Sequence, residues 1–238
     1  MLTGDLTVFK GFRTVLVGAF VAAAMATGAS ASVNLLSNGD FEAGDVGFDS
    51  AYANPNALLW DPAVYDVEAN PQATHPSWAS FGDHTTGQGL MMIVNGADVP
   101  DVMVWGEAGI GVEANTDYDF SFWMASTYST APAALNLEIN GAVVSPTWNA
   151  SSTTGLWQQF SVTWNSGAAS VADLKLWNQQ TAYSGNDFAL DDLSFAKLGL
   201  NSGAIPEPAS WALMLAGFGA MGGALRQRRR VALAQAGA

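Results

Sequence analysis

Between residues 32 and 200 the chain consists of short stretches in which hydrophobic and polar positions alternate, separated by Gly, Asn, Pro, Ser and Asp. A period of two predicts β-strands with one buried face, and no long stretch has helical periodicity. Asn95-Gly96, 115–117 and Asn140-Gly141 predict turns, and the last is typical of a β-hairpin. The predicted strands are 90–94, 101–105, 118–124, 134–139, 158–164, 172–177 and 188–195.

The alternation also assigns side chains to the two faces of each strand. Tyr118, Phe120 and Phe122 share one face, whereas Trp123 falls on the other, and Trp177 is out of phase with its apolar neighbours. Such alternation favours an antiparallel two-sheet β-sandwich. No repeat with a period of 20 to 50 residues is present, which argues against a propeller or a solenoid. We therefore predict one all-β domain over residues 32–200.

Composition and charge limit the classes of molecule that this domain is expected to bind. The chain is 49% hydrophobic and contains nine tryptophans and no cysteine, so it can bury a sizeable core without disulfides, and thiol chemistry is excluded. Residues 32–200 contain two cationic and nineteen acidic side chains, a formal charge of −17. This charge disfavours nucleic acid or an anionic membrane as a partner and suits calcium or neutral glycans.

The N-terminal segment has the three-part pattern of a secretory signal peptide. Lys10 and Arg13 precede an apolar run over 15–25, and small residues follow up to Ala31. We predict a signal-peptide helix over 1–31, cleaved after Ala31. The alternative is a transmembrane anchor, but the run is shorter than the ~20 apolar residues that a span needs.

The C-terminal segment, residues 206–230, joins three chemically distinct parts. Pro206-Glu207-Pro208 is held extended and accessible by its prolines, and a charge-free hydrophobic stretch follows. This stretch is predicted to enter the bilayer as a short transmembrane helix, with a cytoplasmic basic end. The basic residues are Arg226, Arg228, Arg229 and Arg230. Residues 201–205 form a linker to the β-domain, and 231–238 are a C-terminal extension.

Together with Trp211-Ala212, this order of parts resembles the PEPxxWA variant of the PEP-CTERM sorting domain. The resemblance implies recognition by a membrane-embedded exosortase, transient anchoring in the inner membrane and removal of the tail. It further implies delivery to the cell surface or an extracellular polysaccharide matrix of a Gram-negative bacterium. The alternative is an ordinary tail anchor.

A second resemblance brackets the β-domain. Residues 34–42, Asn-Leu-Leu-Ser-Asn-Gly-Asp-Phe-Glu, and 188–195, Phe-Ala-Leu-Asp-Asp-Leu-Ser-Phe, are similar to the opening and closing strands of galactose-binding-like jelly rolls and carbohydrate-binding modules. The resemblance implies that these strands lie together and share a structural Ca²⁺ ion. The matching acids are Asp40, Glu42, Asp191 and Asp192. The alternative is that they are solvated residues at strand ends.

Candidate catalytic chemistry is sparse. His75 and His84 are the two histidines, and neither belongs to an HExxH or to another paired-ligand motif. Nineteen acids give many chance carboxylate pairs, so the sequence cannot select a glycosidase pair. We therefore expect a non-catalytic protein.

Trp123 and Trp177 are the candidate platforms for stacking sugar rings, against the alternative that each belongs to the core. The sequence thus favours an exported, exosortase-sorted protein that associates with extracellular polysaccharide. A purely structural matrix protein and a secreted glycan-active hydrolase remain the alternatives.

Overall fold

The computed structural model describes residues 32–55 and 57–198. Within them it contains ten strands and one short helix. In chain order these are β1 (Val64–Glu68), α1 (Pro71–Thr74), β2 (Met91–Asn95), β3 (Met103–Gly111), β4 (Asp117–Ser126), β5 (Ala134–Ile139), β6 (Ala142–Val143), β7 (Trp148–Asn149), β8 (Gln158–Asn165), β9 (Val171–Asn178) and β10 (Phe188–Lys197).

The strands form two antiparallel sheets. Sheet A has the order β1-β2-β10-β4-β8, and sheet B has the order β3-β9-β5-β6, with β7 also paired to β5. The chain crosses from one sheet to the other at β2 to β3, β3 to β4, β4 to β5, β7 to β8, β8 to β9 and β9 to β10, as in a jelly roll. The predicted all-β sandwich is confirmed.

The core lies between the inner faces of the sheets. Along β4, Tyr118, Phe120 and Phe122 are buried, as their alternation predicts. From sheet B, Trp105 is fully buried, and its ring centroid lies 6.2 Å from that of Phe120. Burial of each such side chain contributes about 1.5–3 kcal/mol, so this aromatic layer is a main source of stability.

The two ends of the domain are joined, as the second resemblance implies. The Asn34 side chain donates to the Leu193 carbonyl and accepts from the Phe195 N–H, and the Leu35 N–H donates to the Phe195 carbonyl. The β10–β4 register shifts between Asp191 and Ser194, which marks a β-bulge beside this junction. The opening segment therefore extends sheet A along one edge of β10.

All seven predicted strands are present; β5 has the predicted ends, and each of the other six is shifted at one end or both. The largest shift is in β3, which continues to Gly111 because bulges accommodate Val104 and Gly109, the latter with a φ of 78°. At the predicted hairpin, Asn140 and Gly141 both have positive φ, as a type I′ turn requires. The pattern did not predict β1, α1, β6 or β7; β6 and β7 have two residues each, too few to show a period.

Residues 57–90 cover part of the outer face of sheet A. Leu59 and Trp78 from this segment pack with Met91 and Ile93 of β2 and Ala189 of β10 in a second hydrophobic cluster. Pro71 starts α1, and the Asn70 side chain caps it by accepting from the Gln72 N–H. Strand β2 is consequently buried on both faces.

The cluster borders a buried carboxyl whose ionisation opposes folding. Burial raises the pKa of Asp187 to about 6, although the indole of Trp78 and the N–H groups of Gly96 and Gly185 donate to it. An acid whose pKa is higher in the folded than in the unfolded state stabilises the fold at a pH where it is protonated in both states, relative to a pH where it is ionised. Its contribution is therefore present near pH 4 and is lost as the pH rises through 6.

We predict that wild type loses about 2.4 kcal/mol of unfolding free energy between pH 4 and pH 7, relative to Asp187→Asn, which cannot ionise. Urea unfolding at four pH values in this range measures the difference. Asp98→Asn, which replaces an exposed carboxylate, is the control and should follow the wild-type profile. Parallel pH profiles of wild type and Asp187→Asn would contradict the assignment.

Candidate functional site

The outer face of sheet B presents an aromatic ring among polar side chains. Trp177 of β9 is half-buried on this face, because the alternating Leu174 and Leu176 point into the core. Its register neighbours are Met103 on β3 and Asn136 on β5. The face therefore combines a broad apolar surface with hydrogen-bonding groups, which is the composition of a ligand site.

A charged pair lies beside the Trp177 ring. Lys175 and Glu138 are register partners, with 3.6 Å between Nζ and Oε1. The Lys175 Nζ atom also lies 5.7 Å from the centroid of the Trp177 ring, within the range of a cation–π contact. Their side chains are 41% and 20% exposed, so the pair is accessible from solvent.

Two polar atoms on this face have no hydrogen-bond partner among the described residues. They are Nε1 of Trp177 and Oδ1 of Asn136, and both are shielded from solvent. A shielded polar group without a partner costs free energy.

Trp123 has a different environment. It lies on the outer face of sheet A, as its alternation predicts, but the His84 ring stacks on it with centroids 3.7 Å apart and an interplanar angle of 17°. Trp157 adds an edge contact to His84 at 6.0 Å. Trp123 therefore already stacks on a ring of the chain itself.

His84 is fixed by the two acids of the β10 bulge. The backbone N–H of His84 donates to Oδ2 of Asp191 at 2.8 Å, and its ring Nδ1 lies 2.6 Å from Oδ2 of Asp192. The same Asp192 oxygen accepts from the Thr85 hydroxyl. These contacts hold residues 83–89 against sheet A. A histidine–aspartate pair of this kind could serve as a base, but no hydroxyl nucleophile is hydrogen-bonded to His84 within the described residues.

The acids matched to calcium ligands fall into two groups. In the first group, Oε1 of Glu42 accepts from the Leu90 N–H and lies near the Asp83 carboxyl group. Asp191 is also near Asp83, whose negative charge raises the pKa of Asp191. Asp40 and Asp192 instead line a polar cavity of about 350 Å³. The other residues lining this cavity are Asn34, Leu36, Asn38, Gly39, Leu193 and Ser194.

The tendency to ionise differs sharply between Asp191 and the neighbouring Asp83. Burial, together with the charges of Asp192 and Asp83, raises the pKa of Asp191 to about 7, although the backbone N–H groups of His84 and Asp192 donate to it. Burial also opposes ionisation of Asp83, but N–H groups of Thr86 and Gly89 donate to its carboxylate and lower its pKa. In the described part of the chain, no group of three or more His, Asp or Glu side chains is arranged so that it could hold a metal ion.

Asp83 and the pairing of Lys175 with Glu138 were missed by sequence reasoning. Asp83 is 4% exposed and organises its loop through Thr86 and Gly89. The sequence feature that could have indicated this role is the stretch Asp83-His-Thr-Thr-Gly87, because Asp, Thr and Gly are typical of a turn stabilised by side-chain hydrogen bonds. The Lys175–Glu138 pair had no local signal, because it depends on the register between β5 and β9.

The targeting segments lie outside the described residues. These are the predicted signal peptide and the sorting residues Pro206, Glu207, Pro208, Trp211, Arg226, Arg228, Arg229 and Arg230. Within residues 32–55 and 57–198, the structure contains no helix that is long and apolar enough to span a membrane.

Comparison with known protein families identifies the C-terminal segment. Residues 204–230 match the family model of the PEP-CTERM protein-sorting motif, two residues upstream of the predicted start and with the same end. The chain therefore carries this sorting motif. No curated protein matches the chain.

Several solved structures are similar to the chain at low identity. A family 16 carbohydrate-binding module is 19% identical, with a TM-score of 0.42 over 68% of this chain and 99% of the module. TmCBM61, in complex with β-1,4-galactotriose, is 14% identical, with a TM-score of 0.45 over 70% and 100%. The Stig cyclase Fisc from Fischerella sp. TAU is 12% identical, with a TM-score of 0.47 over 71% and 98%. These likenesses assign neither a ligand nor an activity to this chain.

Proposed function

We propose that the chain is an exported, non-catalytic glycan-binding protein, which its PEP-CTERM tail directs to the cell surface or an extracellular polysaccharide matrix. The sorting part of the proposal is supported by the motif at 204–230. The glycan-binding part rests on one observation, the Trp177 ring on the outer face of sheet B with polar side chains around it.

The tail would act in export through its three parts. The hydrophobic stretch after Pro208 would hold the exported chain at the inner membrane, and the arginines from 226 to 230 would keep the C-terminus on the cytoplasmic side. An exosortase would then cut near Pro206-Glu207-Pro208 and release the β-domain. An exosortase gene and an exopolysaccharide gene cluster in the same genome would support this route.

We predict that exported material ends near residue 206, because the proline-flanked Glu207 precedes the membrane stretch. Intact-mass analysis of protein purified from the cell surface measures the C-terminus. A host strain without exosortase is the control and should accumulate the chain with its tail. Mature protein from the intact host that retained Arg226 to Arg230 would show an ordinary tail anchor instead.

The charge of the domain limits the class of glycan. Asp173 and Glu138 lie on or beside the Trp177 face, and Lys175 is the one cationic side chain there within the described residues. Highly sulfated or uronate-rich polymers would therefore be repelled, whereas neutral glycans meet no such barrier. A neutral or weakly charged extracellular polysaccharide is the proposed ligand.

We predict that Trp177→Ala weakens binding by about 1–3 kcal/mol and lowers stability less than a core variant does, because it removes a half-buried platform outside the core. Trp105→Ala, the matched core variant, should instead cost about 3–5 kcal/mol of folding free energy. Trp123→Ala separates the two candidate platforms, since loss of the His84 stack should affect stability more than binding.

Affinity electrophoresis of the full-length chain in neutral polysaccharides, with thermal melts of each variant, measures both effects. Retardation that Trp177→Ala abolishes would support the proposal. Retardation in no polysaccharide would favour a purely structural matrix protein. Release of new reducing ends would identify a glycan-active hydrolase.

We also propose that calcium stabilises the domain near Glu42 and Asp191. The side chains as placed do not form a calcium shell, since N–H groups already occupy oxygens of both carboxylates. The proposal is supported by electrostatic repulsion, because the buried Asp191 carboxyl group lies near the negative charges of Asp83 and Asp192. A divalent cation would relieve this repulsion.

We predict that calcium at ~100 times its Kd adds ~2.7 kcal/mol of unfolding free energy and raises the melting temperature by several degrees. Glu42→Gln and Asp191→Asn should lose this increment, and Asp98→Asn, on an exposed loop, should keep it. Thermal melts with calcium and with a chelator measure the shift. Identical wild-type curves in the two conditions would exclude the site.

A further inference from the structure

Lys175 and Glu138 hold a donor and an acceptor side by side on the outer face of sheet B, with the Lys175 ammonium over the Trp177 ring. Lys175 is one of two cationic side chains in the described part of the chain; the other, Lys197, pairs with Glu113. The register of β5 and β9 places Lys175 directly opposite Glu138, so both side chains rise from the outer face of sheet B next to Trp177.

The pair retains unused hydrogen-bonding capacity. The 3.6 Å between Nζ and Oε1 is an ion-pair distance and is too long for a hydrogen bond. The Lys175 ammonium has three N–H donors, and the Glu138 carboxylate has several acceptor sites. The same ammonium lies over the Trp177 ring, 5.7 Å from its centroid. A sugar ring that took its place on Trp177 would bring ring substituents to both charged groups.

This arrangement fits a vicinal diol. Adjacent gauche hydroxyls on a pyranose place two oxygens about one hydrogen-bond length apart, and each hydroxyl both donates and accepts. One hydroxyl oxygen would accept from Lys175 while its neighbour donates to Glu138. Hydrogen bonds to charged groups are the stronger ones, so the pair would select strongly among ligands.

We propose that Lys175 and Glu138 recognise, by hydrogen bonding, a vicinal diol on the sugar ring that stacks on Trp177. This inference rests on the proposed glycan-binding function. The ligand is then a neutral polysaccharide whose internal rings keep two adjacent free hydroxyls. A 1,4-linked hexopyranose chain keeps O2 and O3 free, whereas a 1,3-linked chain leaves O2 and O4, which are not adjacent. The site therefore discriminates between glycosidic linkages.

Affinity electrophoresis of the full-length chain in glucomannan, xyloglucan and a linear β-1,3-glucan tests this selectivity. Retardation is expected in the two 1,4-linked polymers and not in the 1,3-linked one. Periodate oxidation, which cleaves vicinal diols, should abolish the retardation. Lys175→Met and Glu138→Gln should each weaken it roughly tenfold or more without changing the melting temperature.

Lys197→Met and Glu113→Gln, in the second Lys–Glu pair, are the matched controls and should bind as wild type does. Equal retardation by both linkages would overturn the diol inference. Lys175→Met and Glu138→Gln binding like wild type, while Trp177→Ala does not bind, would also overturn it and leave the proposed function standing. If no polymer retards the chain, or if Trp177→Ala binds fully, the proposed function fails and this inference fails with it.

Discussion

Burial of one face of each sheet is the constraint on which the other features depend. In β9, Ala172, Leu174 and Leu176 enter the core, so the intervening Lys175 and Trp177 must lie on the outer face. A slip of one residue in the β5–β9 register would expose the core side chains and bury the charges, and it is therefore strongly disfavoured. The juxtaposition of Lys175 and Glu138 is thus maintained by the same hydrophobic contacts that stabilise the sandwich.

The same constraint explains why the two outer faces differ. Strand β2 is apolar on both faces, so sheet A needs a cover, and residues 57–90 provide it through Leu59 and Trp78. The cover ends in the loop that contains His84, which stacks on Trp123. The bulge of β10 binds this loop through Asp191 and Asp192 at the cost of burying a carboxyl group. The outer face of sheet A is thus used for internal packing around Trp123, whereas the half-buried ring of Trp177 on sheet B is contacted by the Lys175 ammonium.

The local pattern predicted the sandwich well, because strands with one buried face leave a period of two in the sequence. It placed Trp123 and Trp177 on outer faces correctly, but it could not separate them, since the His84 stack joins residues far apart in the chain. Strand β1 was missed although its buried Tyr65 and Val67 alternate with Asp66 and Glu68. Pairings such as Lys175 with Glu138, and the position of Asp83 beside Asp191, follow from tertiary structure and leave no local signal.

The scarcity of cationic side chains has a consequence for survival outside the cell. A trypsin-like protease cleaves after Lys or Arg, and residues 32–198 contain only Lys175 and Lys197. Lys175 lies in β9, which is hydrogen-bonded to a strand on each side, and Lys197 is the last residue of β10. Cleavage requires an extended, unpaired segment in the protease cleft, so cutting after Lys175 demands that the centre of sheet B first open. A chain with this composition is inherently durable among secreted proteases of that specificity.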